Sequence, residues 1–151
     1  MKITTTYERV QAFIVTAQRW LVKSDDNEFN RLGYAISRVM PRAETLIQEF
    51  KQKIADLEID LCVVGEKDVP VRDSRGMLTF TTSALKELNK RREAMFQNDQ
   101  IEIEAHIPRT MPKSKLTHQE QFYFQGFVLP LRTDEEIEAA FDQEDAAAAK
   151  A

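Results

Sequence analysis

The chain has 151 residues, of which 42% are hydrophobic and 30% are charged, and this composition is typical of a soluble globular protein. Its single cysteine cannot form an internal disulfide or a thiolate zinc cage, so disulfide scaffolds and zinc ribbons are excluded. No apolar stretch reaches the roughly 20 residues needed to span a bilayer, and residues 1–6 lack the pattern of a secretory signal. We therefore expect a protein that is neither membrane-bound nor exported.

Charge divides the chain into a near-neutral body and an acidic end. Residues 1–132 hold 20 Lys and Arg against 18 Asp and Glu, whereas residues 133–151 hold 1 against 7. The body therefore lacks the broad basic field that non-specific binding to nucleic acid requires. The sequence predicts one domain over residues 1–132, followed by an acidic C-terminal helix or tail over residues 133–151.

Helical signals dominate the first 61 residues. Thr5 and Glu8 have the spacing of a capping box and predict the start of the first helix. Asp25 opens a second helix, whose apolar residues recur at helical spacing over residues 26–61. Because Pro41 removes one backbone donor and crowds the preceding turn, this helix is expected to be bent or split there.

Extended segments are predicted on both sides of a third helix. Residues 69–80 combine two apolar runs with a turn sequence and predict a hairpin. Thr82 or Ser83 caps the helix that follows, and residues 101–107 alternate apolar and polar side chains as a strand does. We expect an α+β fold, mostly helical, with about five helices and a small antiparallel sheet made of hairpin 69–80 and strand 101–107.

Two further helices are predicted near the end of the chain. Thr117 and Glu120 have capping-box spacing, and Gly126 suits the C-terminal end of the short helix that they begin. Thr133 can cap a last helix. The short helix is dense in aromatic residues, and helical geometry cannot turn all of them into a core. We therefore expect part of this set to contact a partner protein or a second copy of the chain: Phe122, Tyr123, Phe124 and Phe127.

A basic helix face followed by a basic loop gives an alternative reading, in which the protein is an accessory factor that binds nucleic acid. If the fold brings these side chains together, they form a patch that can hold phosphates. The candidate residues are Lys86, Lys90, Arg91, Arg92, Arg109, Lys113 and Lys115.

No catalytic motif is present, and the four glycines form no phosphate-binding loop. An enzyme would have to assemble its site from scattered groups such as Asp56, Asp60, His106 and His118, and this is a further alternative. Since the histidines lack metal-ligand spacing and no glycine-rich loop is present to hold a nucleotide, we expect no metal and no cofactor.

Four segments give the chain a family resemblance. Residues 30–38 lead into the long helix, Leu-Lys-Glu-Leu occupies residues 85–88, Ile-Glu-Ile occupies residues 101–103, and an apolar segment closes the pattern at residues 127–131. Over residues 7–131 the layout resembles small tailed-phage proteins of unknown function. The resemblance implies a phage or prophage origin, location in the host cytoplasm or the virion, and no catalytic residues to transfer.

The leading hypothesis is a non-enzymatic protein that acts by protein–protein interaction. Given the resemblance, it is either a virion or assembly component or a binder of host machinery, and self-association is compatible with either role. Nucleic-acid binding and an assembled catalytic site are the alternatives.

Overall fold

A computed structural model describes residues 1–23, 31–108 and 116–131. Over these residues the fold is α+β and mostly helical, as the sequence predicted, but it has four α-helices rather than about five. The last predicted helix and the acidic segment 133–151 lie outside the described residues. The elements in chain order are β1 (Lys2–Thr5), α1 (Tyr7–Lys23), α2 (Arg31–Leu61), α3 (Thr82–Asn98), β2 (Ile101–Glu104) and α4 (His118–Phe124).

The sheet differs from the predicted one in its membership. β2 pairs with the N-terminal strand β1, with Ile3 opposite Ile103, and hairpin 69–80 does not join it. Since side chains alternate between the faces of a strand, Ile3 and Ile103 point to the core while Lys2 and Glu104 lie on the outer face. β2 ends at Glu104 and not at residue 107 as predicted. At His106 the chain no longer pairs with β1, because the His106 N–H donates to the Phe127 carbonyl.

The starts of α1 and α3 were each predicted to within one residue. Thr6, rather than Thr5, caps α1 by accepting a hydrogen bond from the amide of the third helical residue at 3.3 Å. Thr81, rather than Thr82 or Ser83, caps α3 in the same way. Neighbouring hydroxyl residues compete for the cap position, and spacing alone does not separate them.

The predicted start and end of α4 are confirmed. Thr117 Oγ1 accepts from the Glu120 amide at 3.1 Å, and Glu120 Oε1 accepts from the Thr117 amide at 2.9 Å. The helix ends just before Gly126, whose φ of 83° is the left-handed conformation that glycine adopts without strain.

α2 continues through Pro41 as one helix of 31 residues. Pro41 cannot donate to the carbonyl of Ser37, and both residues are exposed. Water can therefore reach this turn, and the helix continues through the proline without dividing. The predicted start of this helix at Asp25 lies outside the described residues.

The core forms where α1 lies against α2, with α4 and the following turn covering α1. Phe13 stacks on Phe127 with ring centroids 4.7 Å apart and meets Phe124 edge-on at 5.9 Å. Burial of each such ring stabilises the fold by roughly 1.5–3 kcal/mol. The largest fully buried side chains are Tyr7, Val10, Phe13, Leu32, Ile36, Val39, Phe124, Phe127 and Val128.

The end of α2 extends past this core. α1 begins beside Phe50, where the rings of Tyr7 and Phe50 lie 5.0 Å apart, and α2 then continues to Leu61. Residues 54–92 form an arm, which comprises the last turns of α2, the connecting segment and the first half of α3. Ile54 and Leu88 are buried in the arm but do not belong to the main core cluster.

Candidate functional site

A small cap, residues 62–80, closes the far end of the arm. The Val71 amide donates to Val63 O at 2.9 Å, the Thr79 amide to Val71 O at 3.2 Å, and the Val63 amide to Thr79 O at 2.8 Å. These bonds form a closed cycle that ties three extended segments together. The predicted hairpin over residues 69–80 is present as an antiparallel bridge between Arg72 and Leu78.

Three apolar side chains lie exposed on one face of the cap. Val69 and Val71 are two residues apart on the middle segment, and Met77 lies diagonally across from Val71 on the third segment. Because side chains alternate along extended backbone, the three share a face. Their exposed fractions are 59%, 40% and 63%, respectively. We call Val69, Val71 and Met77 the tip patch.

Two turns flank the tip patch. In the first, residues 66–68, Lys67 and Asp68 both adopt left-handed backbone, with φ of 59° and 58°. This conformation costs a residue with a side chain about 1–2 kcal/mol, and strained residues cluster at binding sites. In the second turn the Asp73 carboxylate accepts from the amides of Arg75 at 2.8 Å and Met77 at 3.0 Å. These two hydrogen bonds hold the second turn, at one edge of the patch, in place.

Three more large apolar side chains are exposed on the arm. Ile59 near the end of α2, Val64 in the cap and Leu85 in α3 are all exposed. Large exposed apolar side chains gathered at one end of a molecule are typical of an interaction surface. The arm end is therefore the strongest candidate site in the part of the chain that the structure describes.

The four aromatic residues predicted to bind a partner divide into two pairs. Phe124 and Phe127 are fully buried in the core, so their rings are not available at the surface. Tyr123 is half-buried and Phe122 is 36% exposed. The Arg9 guanidinium lies 4.7 Å from the centroid of the Phe122 ring, in a cation–π contact.

The basic residues predicted for nucleic acid are partly neutralised by neighbouring acids. Arg91 pairs with Glu87 at 2.7 Å, and Arg92 pairs with Glu58 of α2 at 3.2 Å. Lys86 and Lys90 of α3 are exposed. The remaining candidates, Arg109, Lys113 and Lys115, lie outside the described residues.

The scattered candidates for catalysis are not brought together. Asp56 and Asp60 are exposed on the arm, and Gln52 donates to Asp56 at 3.0 Å. His106 lies against Tyr34 near the other end of α2, with ring centroids 5.5 Å apart. Residues 34 and 56 are separated by about 33 Å at the helical rise. His118 begins α4, and no three His, Cys, Asp or Glu side chains among the described residues could hold a metal ion.

A wide groove of about 670 Å³ lies between α1 and α2. Its floor includes Ile14 and Ile47, which are already buried in the core. Thr45 is the one hydroxyl residue of the lining, and its Oγ1 donates to the Pro41 carbonyl of the same helix at 2.9 Å. The polar residues that line it are Gln11, Gln18, Glu44, Thr45, Gln48 and Lys51.

One lysine has a shifted pKa at the base of the arm. Lys53 Nζ donates to Tyr7 Oη at 2.8 Å, and this hydrogen bond raises the pKa of Lys53 above its ordinary value. The charged form is favoured in the folded state, so its stabilising effect is complete below the ordinary lysine pKa of about 10.4. The effect is lost as pH rises past the folded value.

We expect the Tyr7→Phe variant to lose less stability than the wild type as pH rises through this range. The difference is small because Lys53 is exposed and screened by solvent. Chemical denaturation of both proteins at a series of alkaline pH values measures it. Parallel pH profiles would show that the hydrogen bond between Lys53 and Tyr7 does not contribute.

The sequence predictions missed the arm end as a candidate site. The Val-Pro-Val run at residues 69–71 and Met77 were assigned to a hairpin of the sheet, and apolar side chains in such a hairpin are expected to pack inward. The available signal was Pro70, which is found at edges and not in the middle of sheets.

No protein-family model and no characterised protein matches the sequence significantly. No solved structure matches significantly either. None of the described helices combines the length and the apolar composition that a bilayer span requires.

Proposed function

We propose that this protein acts without enzymatic chemistry, by binding a protein partner through the tip patch. The observation that carries the proposal is the exposure of Val69, Val71 and Met77 on one face at the end of the arm. When a partner removes exposed apolar side chains from water, the complex is stabilised by roughly 25 cal/mol per Å² of apolar surface buried. The adjoining turn holds Lys67 and Asp68 in strained backbone, and such strain supports a role in binding because strained residues cluster at binding sites.

The resemblance of residues 7–131 to small tailed-phage proteins supports two roles for such binding. In one, the protein is a virion or assembly component, and in the other it binds host machinery. Its location would be the virion or the host cytoplasm. An arm that projects an apolar end beyond the core suits either role, because the patch is accessible to a large partner.

A photoreactive amino acid tests the proposal. Benzoylphenylalanine placed at Met77 is expected to form a cross-linked protein adduct on illumination in extracts of cells that make the protein. The matched control places it at Val22, which is exposed at the end of α1. Adducts that depend on position 77 support the tip patch. Equal adducts from both positions, or none from either, would contradict the proposal.

Nucleic-acid binding remains the alternative, and Lys86 and Lys90 are its exposed basic side chains that form no ion pair among the described residues. Fluorescence anisotropy with single-stranded and double-stranded probes across a salt series tests it directly. Binding that weakens with salt, and weakens further in the Lys86→Glu/Lys90→Glu variant, would favour this alternative. Absence of salt-dependent binding would favour the protein partner.

A further inference from the structure

We propose that the tip patch binds a second copy of this chain, so that two caps pack face to face in a symmetric dimer. The inference rests on the proposed function, because it names the partner of the same patch. The charges of the two turns on either side of the patch favour this partner.

The two turns carry opposite net charge. The first turn, residues 66–68, holds two acids and one base, whereas residues 72–76 around the second turn hold two bases and one acid. The middle segment, residues 69–72, joins them and spans about 13 Å at the rise of extended backbone. The tip patch therefore lies between an acidic end and a basic end of the cap.

Hydrogen bonds around the second turn occupy two of its three charged side chains. The Asp73 carboxylate is occupied by two amides of its own turn, and Arg72 donates to Gly76 O at 2.9 Å. Arg75 is exposed at this end, and Glu66 is exposed at the other. Among the described residues, neither Glu66 nor Arg75 forms an ion pair. Both charges are available to a partner.

A two-fold axis makes this surface complementary to itself. When the axis lies in the plane of the interface beside Val71, at right angles to the line that joins the two turns, the acidic turn of each copy meets the basic turn of the other. Glu66 then faces Arg75 of the second copy, and the same contact occurs twice. Val69 approaches Met77 of the second copy at the centre. One arrangement thus pairs the opposite charges and buries the apolar side chains.

The contact is small, so we expect a transient dimer that forms as concentration rises. Sedimentation velocity over a concentration series measures it. The Val71→Asp variant is expected to remain monomeric, because a carboxylate would be placed beside the two-fold axis against its own copy. Val22→Asp, a change at an exposed valine on α1, is expected to dimerise like the wild type. Circular dichroism confirms that each variant is folded.

Charge exchange tests the arrangement of the two copies. Glu66→Lys alone and Arg75→Glu alone each create two like-charge contacts per dimer and are expected to weaken association at least about tenfold. An equimolar mixture of the two variants is expected to form a heterodimer, because both contacts then join opposite charges. The double variant is expected to regain dimerisation, and added salt is expected to reduce these differences.

Three results would overturn the inference: a wild type that stays monomeric at high concentration, a Val71→Asp variant that dimerises normally, or single charge variants that do not pair when mixed. A monomeric wild type that still gives adducts dependent on position 77 would leave the proposed function intact and refute only the second copy. Absence of both dimers and adducts would refute both.

Discussion

We expect the Phe127→Ala variant to lose about 3–5 kcal/mol of unfolding free energy, because a fully buried aromatic ring leaves a cavity when it is removed. Phe127 stacks on Phe13 at 4.7 Å and is 1% exposed. The aromatic contact is lost together with the buried area, which adds to the cost. Urea denaturation followed by circular dichroism measures the change.

Phe122→Ala is the matched control, since it removes the same ring from the same aromatic segment. Phe122 is partly exposed and its main described contacts are with Arg9 and Tyr123. We expect this variant to lose about 1 kcal/mol or less. Equal losses from the two variants would contradict the division of these aromatic residues into a core pair and a surface pair.

Local signals in the sequence predicted the parts of the fold that depend on local chemistry. The capping box at Thr117 and Glu120, the left-handed Gly126 and the alternation of residues 101–104 each require only a few neighbouring residues to take effect. The same local signals left one ambiguity, at Thr5 and Thr6, because either hydroxyl can cap a helix that starts there.

The membership of the sheet could not be predicted in this way. β1 is four residues long and contains one isoleucine, so its alternation is too short to stand out as a pattern. Its pairing with β2 joins residues about 100 positions apart, and that contact is settled by the packing of Ile3 and Ile103 on the core. Hairpin 69–80 had the stronger local signal but lies at the end of the arm.

The candidate site was missed for a related reason. Apolar residues at 69, 71 and 77 look like core residues unless it is known that nothing covers them. Whether they are covered depends on how far α2 extends beyond the start of α1, which lies beside Phe50. The aromatic set at residues 122–127 gave a stronger local signal for a binding site than residues 69, 71 and 77 did, yet Phe124 and Phe127 are buried in the core.

We expect the Leu88→Ala variant to destabilise the arm by about 2–4 kcal/mol, because this leucine is the most deeply buried apolar side chain of α3. Leu88 is 2% exposed, while Leu85 on the same helix is 45% exposed. Leu85→Ala is therefore the matched control and is expected to change stability by about 0.5 kcal/mol or less. Hydrogen exchange measures where the loss falls.

Leu88 lies outside the main core cluster, so the effect of its replacement should be local. Amide exchange is expected to accelerate over the arm, residues 54–92, and to remain unchanged in α1 and α4, where the core aromatics lie. An arm that loosens in this way would also present the tip patch less rigidly, and association through Val71 should weaken with it. Uniform acceleration across all helices would instead show that the arm and the core unfold as one unit.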